Sequence, residues 1–364
     1  MRIALVCDWL TDMGGAERVV ENLLSMYPEA PLFTSIARLK NLPDFFKKRN
    51  IKTSHLQKLP GFMRKSHQRL FPFYPLAFES FDLSGYDAAI SSSMCCAKGI
   101  ITGASTIHIC YCHTPMRYIW EQKENYEKGM GLLKKFIFRI LVHRMRLWDY
   151  ASSQRVNYFI ANSSTVQKRI KKTYGRESVV IHPPVRCSEF LPGETDGDYY
   201  FVLSRLVSYK RFDLAVQACS ELGRKLLVVG NGPELKNLKK IANENVKFLG
   251  SLPDSEVKKH MSECRALLFP GEEDFGIVPV EAMSCGRPVI AFGRGGALDT
   301  VIDGKTGVLF GEQTTESLKE AIAKFEGMEF DKQAIRKHAL KFDESVFRER
   351  IAEFVKEKVA EDRC

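Results

Sequence analysis

The sequence predicts an α/β protein of two units, each a parallel sheet covered by helices on both faces. Three observations carry that reading. Short apolar runs alternate with amphipathic helical stretches along the chain. Several of those runs end in glycine-bearing turns that open a helix. The length, 364 residues, exceeds one ordinary core and suffices for two.

In chain order, Ile3–Asp8 reads as the first strand and Met13-Gly14-Gly15-Ala16-Glu17-Arg18 as a turn entering a helix. Val19, Val20, Leu23 and Leu24 form that helix's apolar face. Pro31–Ile36, Ala88–Ser92 and Thr106–Cys112 are further strands, the last ending at His113-Thr114-Pro115. Residues 132–152 form a long amphipathic helix carrying scattered Lys and Arg. Tyr158–Asn162 is a strand, Ser163-Ser164-Thr165 a helix cap, and 165–174 the helix it starts. Val179–Ile181 precedes His182-Pro183-Pro184, and Pro192–Asp198 reads as a linker.

A second alternation follows. Tyr200–Leu203, Lys225–Val229, Val246–Leu249, Ala266–Phe269, Pro288–Phe292 and Leu309-Phe310 are its strands. Helices are expected at 210–222, 233–242, 253–263, 277–285, 315–325, 331–341 and 344–361. The division is therefore a first domain at 1–190, a second at 191–341 and a closing helical segment at 342–364. Alternation at this spacing implies parallel sheets, whose ligands bind beyond the carboxyl ends of the strands.

Composition excludes several classes. Gly 25 and Pro 15 are ordinary fractions, so fibrous and low-complexity readings fall away. No run is long and apolar enough to span a membrane, and the first apolar stretch breaks at Asp8, unlike a cleavable signal. The ten cysteines sit mostly inside apolar runs, which fits buried thiols in a reducing, cytoplasmic setting. Cys95-Cys96 and Cys110-Tyr111-Cys112 lack zinc-site spacing, so no metal is expected. The Asn162-Ser163-Ser164 sequon has meaning only in a secreted chain.

The charge is uneven. Residues 1–190 hold 28 Lys/Arg against 15 Asp/Glu, and residues 191–364 hold 26 against 29. Within 38–69, ten basic residues stand against Asp44 alone, including Lys47-Lys48-Arg49, Arg64-Lys65 and Arg69. Phe71-Pro72-Phe73-Tyr74-Pro75 and Phe78 follow. Basic residues beside exposed aromatics suit an anionic membrane surface, here assigned to residues 38–78. A plain solubilising surface has the same composition. Nucleic acid is not expected as a partner, since no RNP, KH, zinc-finger or helix-turn-helix signature accompanies the charge.

Candidate site residues lie at strand ends. Gly14-Gly15 lets a ligand approach the backbone at a helix start, although an ordinary tight turn has the same sequence. Arg205 and Lys210 flank the loop after the second domain's first strand and make a diphosphate clamp, or two solvent charges. Gly230-Asn231-Gly232-Pro233 is either a tight turn or a cleft wall, and Arg294 in Gly293-Arg294-Gly295-Gly296 a further cation or a solvated turn.

Pro270–Glu281 is the richest stretch. Glu272, Glu273 and Asp274 crowd the loop, Phe275-Gly276 opens a helix with unpaired N–H groups, and Ile277 and Glu281 share a helix face. Paired carboxylates suit vicinal sugar hydroxyls; helix capping is the structural alternative. His113, directly after a strand, suits sugar contact or acid–base work, whereas His108 within the strand reads as structural.

Taken together, these motifs resemble the retaining glycosyltransferases of family 4, with the GT-B fold. The E-x7-E motif runs from Glu273 to Glu281, with Asp274 where the family pattern has Gly. Ser204-Arg205-Leu206, Tyr209-Lys210-Arg211, Gly230–Pro233, Gly293–Gly296, Gly14–Glu17, His113-Thr114-Pro115 and Ala161-Asn162-Ser163 occur in the family's order.

The resemblance implies two Rossmann-like domains facing a central cleft, an N-terminal acceptor-binding domain, and a last helix that crosses back to it. It implies that Arg205 and Lys210 contact the donor diphosphate, Glu273 the donor-sugar hydroxyls and Glu281 the nucleotide ribose. The backbone around Asp274, Phe275, Gly276 and Ile277 would line sugar and phosphate. Gly14 and Gly15 would lie near the diphosphate, and His113 would contact the transferred sugar. With the cationic pair at the leaving group, a metal would be redundant.

Cys112-His113-Thr114-Pro115-Met116-Arg117-Tyr118-Ile119-Trp120 resembles mannosyltransferases of surface-polysaccharide synthesis. The expected donor is GDP-mannose and the expected acceptor a lipid-linked oligosaccharide or polysaccharide at the inner membrane face. A UDP-sugar donor, or a non-catalytic glycan-assembly subunit, are the alternatives.

Overall fold

The computed structural model describes all residues except 66, 122–126, 128, 129, 363 and 364, and leaves out the side chains of 65 and 67–69. The side chains of Lys65 and Arg69, and the whole of Cys364, therefore lie outside what is described. The chain forms two compact units, Met1–His182 with Phe347–Cys364, and Pro183–Val346.

The first unit holds a seven-stranded, wholly parallel sheet. Its strands are β1 (Ile3–Cys7), β2 (Leu32–Thr34), β3 (Ile51–Thr53), β4 (Ala88–Ser93), β5 (Ile107–Cys112), β6 (Tyr158–Ala161) and β7 (Ser178–Val180). The order is β3-β2-β1-β4-β5-β6-β7, so the winding direction reverses between β1 and β4. Alternation along β1 feeds two cores. Ile3, Leu5 and Cys7 meet Val19, Val20, Leu23 and Leu24 of helix α1 (Gly15–Met26). Ala4 and Val6 share the opposite core with Tyr74, Ala77 and Phe78.

Beyond β5, helices α2 (Leu132–Gln154) and α3 (Ser164–Tyr174) flank β6. Ser163 caps α3 by accepting from the Val166 N–H, and Gly175 ends it in the left-handed conformation. Asn162 itself is buried, which leaves the sequon inaccessible.

A buried ion pair ties α2 to the loop after β4. Lys98 Nζ donates to Asp149, both side chains almost wholly out of solvent. Asp149 also accepts from Trp120 Nε1 at 2.7 Å and from the Tyr174 hydroxyl at 2.8 Å. These bonds compensate the desolvation of both charges.

The second unit holds a six-stranded parallel sheet of order β10-β9-β8-β11-β12-β13. Its strands are β8 (Tyr199–Leu203), β9 (Lys225–Val229), β10 (Val246–Gly250), β11 (Ala266–Phe269), β12 (Val289–Phe292) and β13 (Gly307–Phe310). Its longer helices are α4 (Phe212–Leu222), α5 (Leu235–Ile241), α6 (Asp254–Glu263), α7 (Ile277–Ser284), α8 (Thr315–Glu326) and α9 (Lys332–Ala339). Here the winding reverses between β8 and β11.

Two boundaries differ from the sequence reading. The first unit ends at His182, not at 190. Val185, Cys187 and Phe190 are buried in the second unit's core with Phe201 and Phe269, so apolar burial places 183–190 there. The closing segment divides as well. Residues 342–346 belong to the second unit, where Val185 N–H donates to the Phe342 carbonyl at 3.1 Å. From Phe347 the last helix, α10 (Glu344–Glu361), belongs to the first unit. Phe347, Ile351, Phe354, Val355 and Val359 enter the core beside α1, and Arg348 Nε donates to Asn22 Oδ1 at 2.7 Å.

Candidate donor site at the sheet switch points

In open parallel sheets, two strands wound in opposite directions leave a crevice at their carboxyl ends, and ligands bind there. In the second unit that point lies between the loops after β8 and β11. Lys210 closes the first loop and Glu273 lies in the second, and Lys210 Nζ donates to the Glu273 carboxylate. Both side chains keep some exposure, 11% and 22%, so the pair sits at the rim of the crevice and not in the core. Arg205, on the same loop, is exposed. Arg211, directly after Lys210, has φ 52°, the one non-glycine positive φ among the described residues. Its guanidinium grips Asp213 at 3.1–3.2 Å, which holds the strained turn into α4.

The glycine-rich loops prove to be packing devices around this pair. A Cβ on Gly271 would come within 2.9 Å of Lys210 Cα. A Cβ on Gly296 would overlap the Phe275 backbone, and one on Gly295 the Glu273 carbonyl. The Gly296 N–H donates to that same carbonyl at 2.8 Å. Gly230 and Gly232 likewise press against the backbone of Ser204 and Leu206, and Leu206 N–H donates to the Asn231 carbonyl at 2.9 Å. Close packing therefore accounts for Gly230–Pro233 and Gly293–Gly296.

Phe275 turns its ring into the core, 5.7 Å from Phe342, so only its backbone faces the loop side. Gly276, at φ 88°, is the N-cap of α7. Pro279, in the first turn of α7, lacks an N–H that would be unpaired there in any case. Asp274 and Ile277 are half-buried, and Glu281 on α7 is buried at 4% exposure.

In the first unit, Asp8 follows β1 and is buried at the reversal point. Its carboxylate accepts four backbone N–H groups, from Met94 (2.6 Å), Cys95 (3.0 Å), Cys96 (2.6 Å) and Ala97 (2.7 Å). Burial nevertheless raises its pKa above the ordinary value. Gly14 and Gly15 stand exposed at the start of α1. Glu17, one turn in, is pushed up to about 7 by burial, with the Asp8 charge adding to the shift. Cys7, Asp8, Trp9, Glu17, Ser92 and Met94 line a small cavity here.

His113 directly follows β5, the neighbour of β4. Its Nε2 pairs with Ser92 Oγ at 2.8 Å, and its ring packs edge-on to Tyr111. Burial lowers its pKa to about 4, so the imidazole is neutral at pH 7. His108 is fully buried, pairs with Ser91 Oγ at 2.8 Å and is held down to about 3, consistent with a structural part. Sequence reasoning passed over Asp8 except as a polar break. A carboxylate closing a buried strand was the available signal.

The basic tract fares differently from its expectation. Tyr74 and Phe78 are core residues, so burial withdraws them from the proposed aromatic surface; Phe73 remains exposed. Arg38 and Arg64 donate to backbone carbonyls, and Arg49 stacks on Phe45 at 4.3 Å. Among the described residues, no group of three or more His, Cys, Asp or Glu is placed to hold a metal ion.

Two family models match end to end, Glycosyltransferase Family 4 over residues 13–189 and Glycosyl transferases group 1 over residues 188–342. With its two parallel-sheet units, the chain belongs to the GT-B glycosyltransferases. Among individual proteins, it is similar to a GDP-mannose-dependent alpha-(1-6)-phosphatidylinositol monomannoside mannosyltransferase of Mycolicibacterium smegmatis. The two are 30% identical over 192 residues, 44% of this chain and 50% of that one. Alpha-1,3/1,6-mannosyltransferase alg2 of Schizosaccharomyces pombe is 27% identical over 277 residues, 62% of this chain and 52% of its own. The chain thus spans about half the length of these curated relatives. The crystal structure of Anabaena HepE with UDP and glucose superposes at a TM-score of 0.69 and 20% identity, over 98% of this chain and 99% of that one, a likeness of fold.

Proposed function

We propose that the protein transfers a glycosyl group, with retention, from a nucleoside-diphosphate sugar to a glycan or lipid-linked acceptor. The observation that carries this is the Lys210–Glu273 pair at the switch point of the second sheet, beside exposed Arg205 and the N-terminus of α7. One cation, one carboxylate and the backbone N–H groups of a helix start supply what a sugar diphosphate needs: charge for the phosphates, an acceptor for the hydroxyls and a dipole at the anion.

In this reading the diphosphate takes Glu273's place as the partner of Lys210, and Arg205 closes on it. Released, Glu273 accepts from donor-sugar hydroxyls, and Glu281 from the ribose. The N–H groups from Asp274 to Ile277 line the phosphates. For Gly14, Gly15 and neutral His113 of the first unit, a part in holding the donor is supported by the sequence resemblance. The bond from the anomeric carbon to the diphosphate breaks as the acceptor oxygen bonds to the same face. The acceptor's proton passes to the leaving phosphate. Negative charge grows on that phosphate, so fixed cations stabilise the transition state more than the ground state.

A UDP-hexose is the donor we favour. Support comes from the HepE complex, whose fold covers nearly all of this chain and whose ligands are UDP and glucose. GDP-mannose, the sequence expectation, remains the second reading because the mycobacterial relative is GDP-mannose-dependent. Label transfer from a panel of UDP- and GDP-sugars to extracted lipid-linked glycans separates the two. Transfer from UDP-hexoses alone supports the first, and transfer from GDP-mannose alone reverses the order. A folded protein that transfers from neither would overturn the activity.

A further inference from the structure

Helix α2 (Leu132–Gln154) has two apolar faces, and only one is used. Val142, Met145, Asp149 and Ser152 are buried, with Phe138, Leu141 and Trp148 packed beside them. On the opposite side Leu133 is 73% exposed, Phe136 63%, Ile137 58% and Leu147 60%, with Ile140 also open. At the helical repeat these five form one stripe, about 21 Å long from residue 133 to 147. A solvent-facing stripe of this kind is costly unless something covers it.

Charge identifies the cover. Lys134, His143 and Arg144 are exposed along the stripe, and the helix's one acidic residue, Asp149, is buried under it. Arg139 and Lys135 pair with Glu127, at 3.0 and 3.3 Å. A second copy of this face, related by a two-fold axis, would set cation against cation, with no carboxylate of the helix to relieve it. An anionic bilayer surface offers both halves of the complement, acyl chains for the stripe and phosphates for its flanking cations.

We propose that this face of α2 is where the protein docks on an anionic lipid surface, in place of the 38–78 tract. The inference stands on the helix face alone and holds whichever donor is used.

Flotation with phosphatidylcholine vesicles, with and without phosphatidylglycerol, tests it on the full chain. The wild type should float with the anionic vesicles, less so as salt rises. The Phe136→Ser/Ile137→Ser variant should lose about tenfold in bound fraction. A Lys47→Ala/Lys48→Ala/Arg49→Ala variant should bind as the wild type does. In an otherwise unaltered chain, Phe136→Trp should add blue-shifted emission when anionic vesicles are present. Failure of the wild type to bind overturns the proposal, as does equal binding by the helix variant or an unshifted emission from the Phe136→Trp variant. A dimer of the wild type that the helix variant dissociates would assign the face to a second copy instead.

Discussion

Lys210 and Glu273 neutralise each other across the point where the second sheet reverses its winding. In the proposed reading the pair keeps the cation meant for a diphosphate beside the carboxylate meant for a sugar until a ligand parts them.

Glu273→Gln should separate binding from turnover. The amide no longer competes for Lys210, so UDP or GDP should bind at least as tightly as in the wild type. Transfer should fall by about two orders of magnitude in kcat. Calorimetry and single-turnover kinetics check both; weakened nucleotide binding with unchanged kcat would reverse the assigned part.

Gly296→Ala should damage the site without touching a charge. The added Cβ overlaps the Phe275 backbone, so the 273–275 segment must shift. We expect roughly 1–3 kcal/mol of lost stability and a large fall in kcat/KM. Chemical denaturation and initial rates measure them.

Lys98→Met should destabilise the first unit by about 3–5 kcal/mol, because Asp149 is left charged and buried. Adding Asp149→Leu should recover part of that loss, read from the denaturation midpoints of single and double variants.

Acid should weaken the first unit in a definite window. His108 and His113 are lowered from 6.5 to about 3 and about 4 in the folded chain. Unfolded, both take up protons below 6.5, while folded they resist. Stability is therefore complete above 6.5 and falls as pH drops toward 4. Glu17 runs the other way, since its folded value of about 7 lies above 4.5. Its contribution is present below 4.5 and is lost as pH rises through 7. Glu17→Gln should therefore raise Tm at pH 8 and change it little at pH 4. Melting curves across that range check both signs.

Much of this was legible from sequence. The strands of the second unit fall within two residues of their expected ends because each is a short apolar run closed by glycine, proline or, after β8, Ser204. β3 was missed because it is a three-residue edge strand, Ile51–Thr53, with Lys52 exposed inside a basic tract. By composition the aromatics 71–78 belong to the surface, yet the helix Tyr74–Glu79 turns Tyr74 and Phe78 inward, which composition alone does not encode. The ordered motifs pointed to Lys210 and Glu273, but not to their mutual ion pair. That pair, like the Asp8 clamp on 94–97, joins residues far apart in the chain, and no local pattern records it.

Nucleotide binding by Lys210→Ala tests the central claim most directly. Calorimetric titration of UDP and GDP into wild type and variant should show one nucleotide bound by the wild type. The variant should bind it at least tenfold more weakly while keeping the same Tm within a degree or two, since the removed charge pair is partly solvated. Equal affinity in a folded Lys210→Ala protein would contradict the account, because the diphosphate would then be held elsewhere.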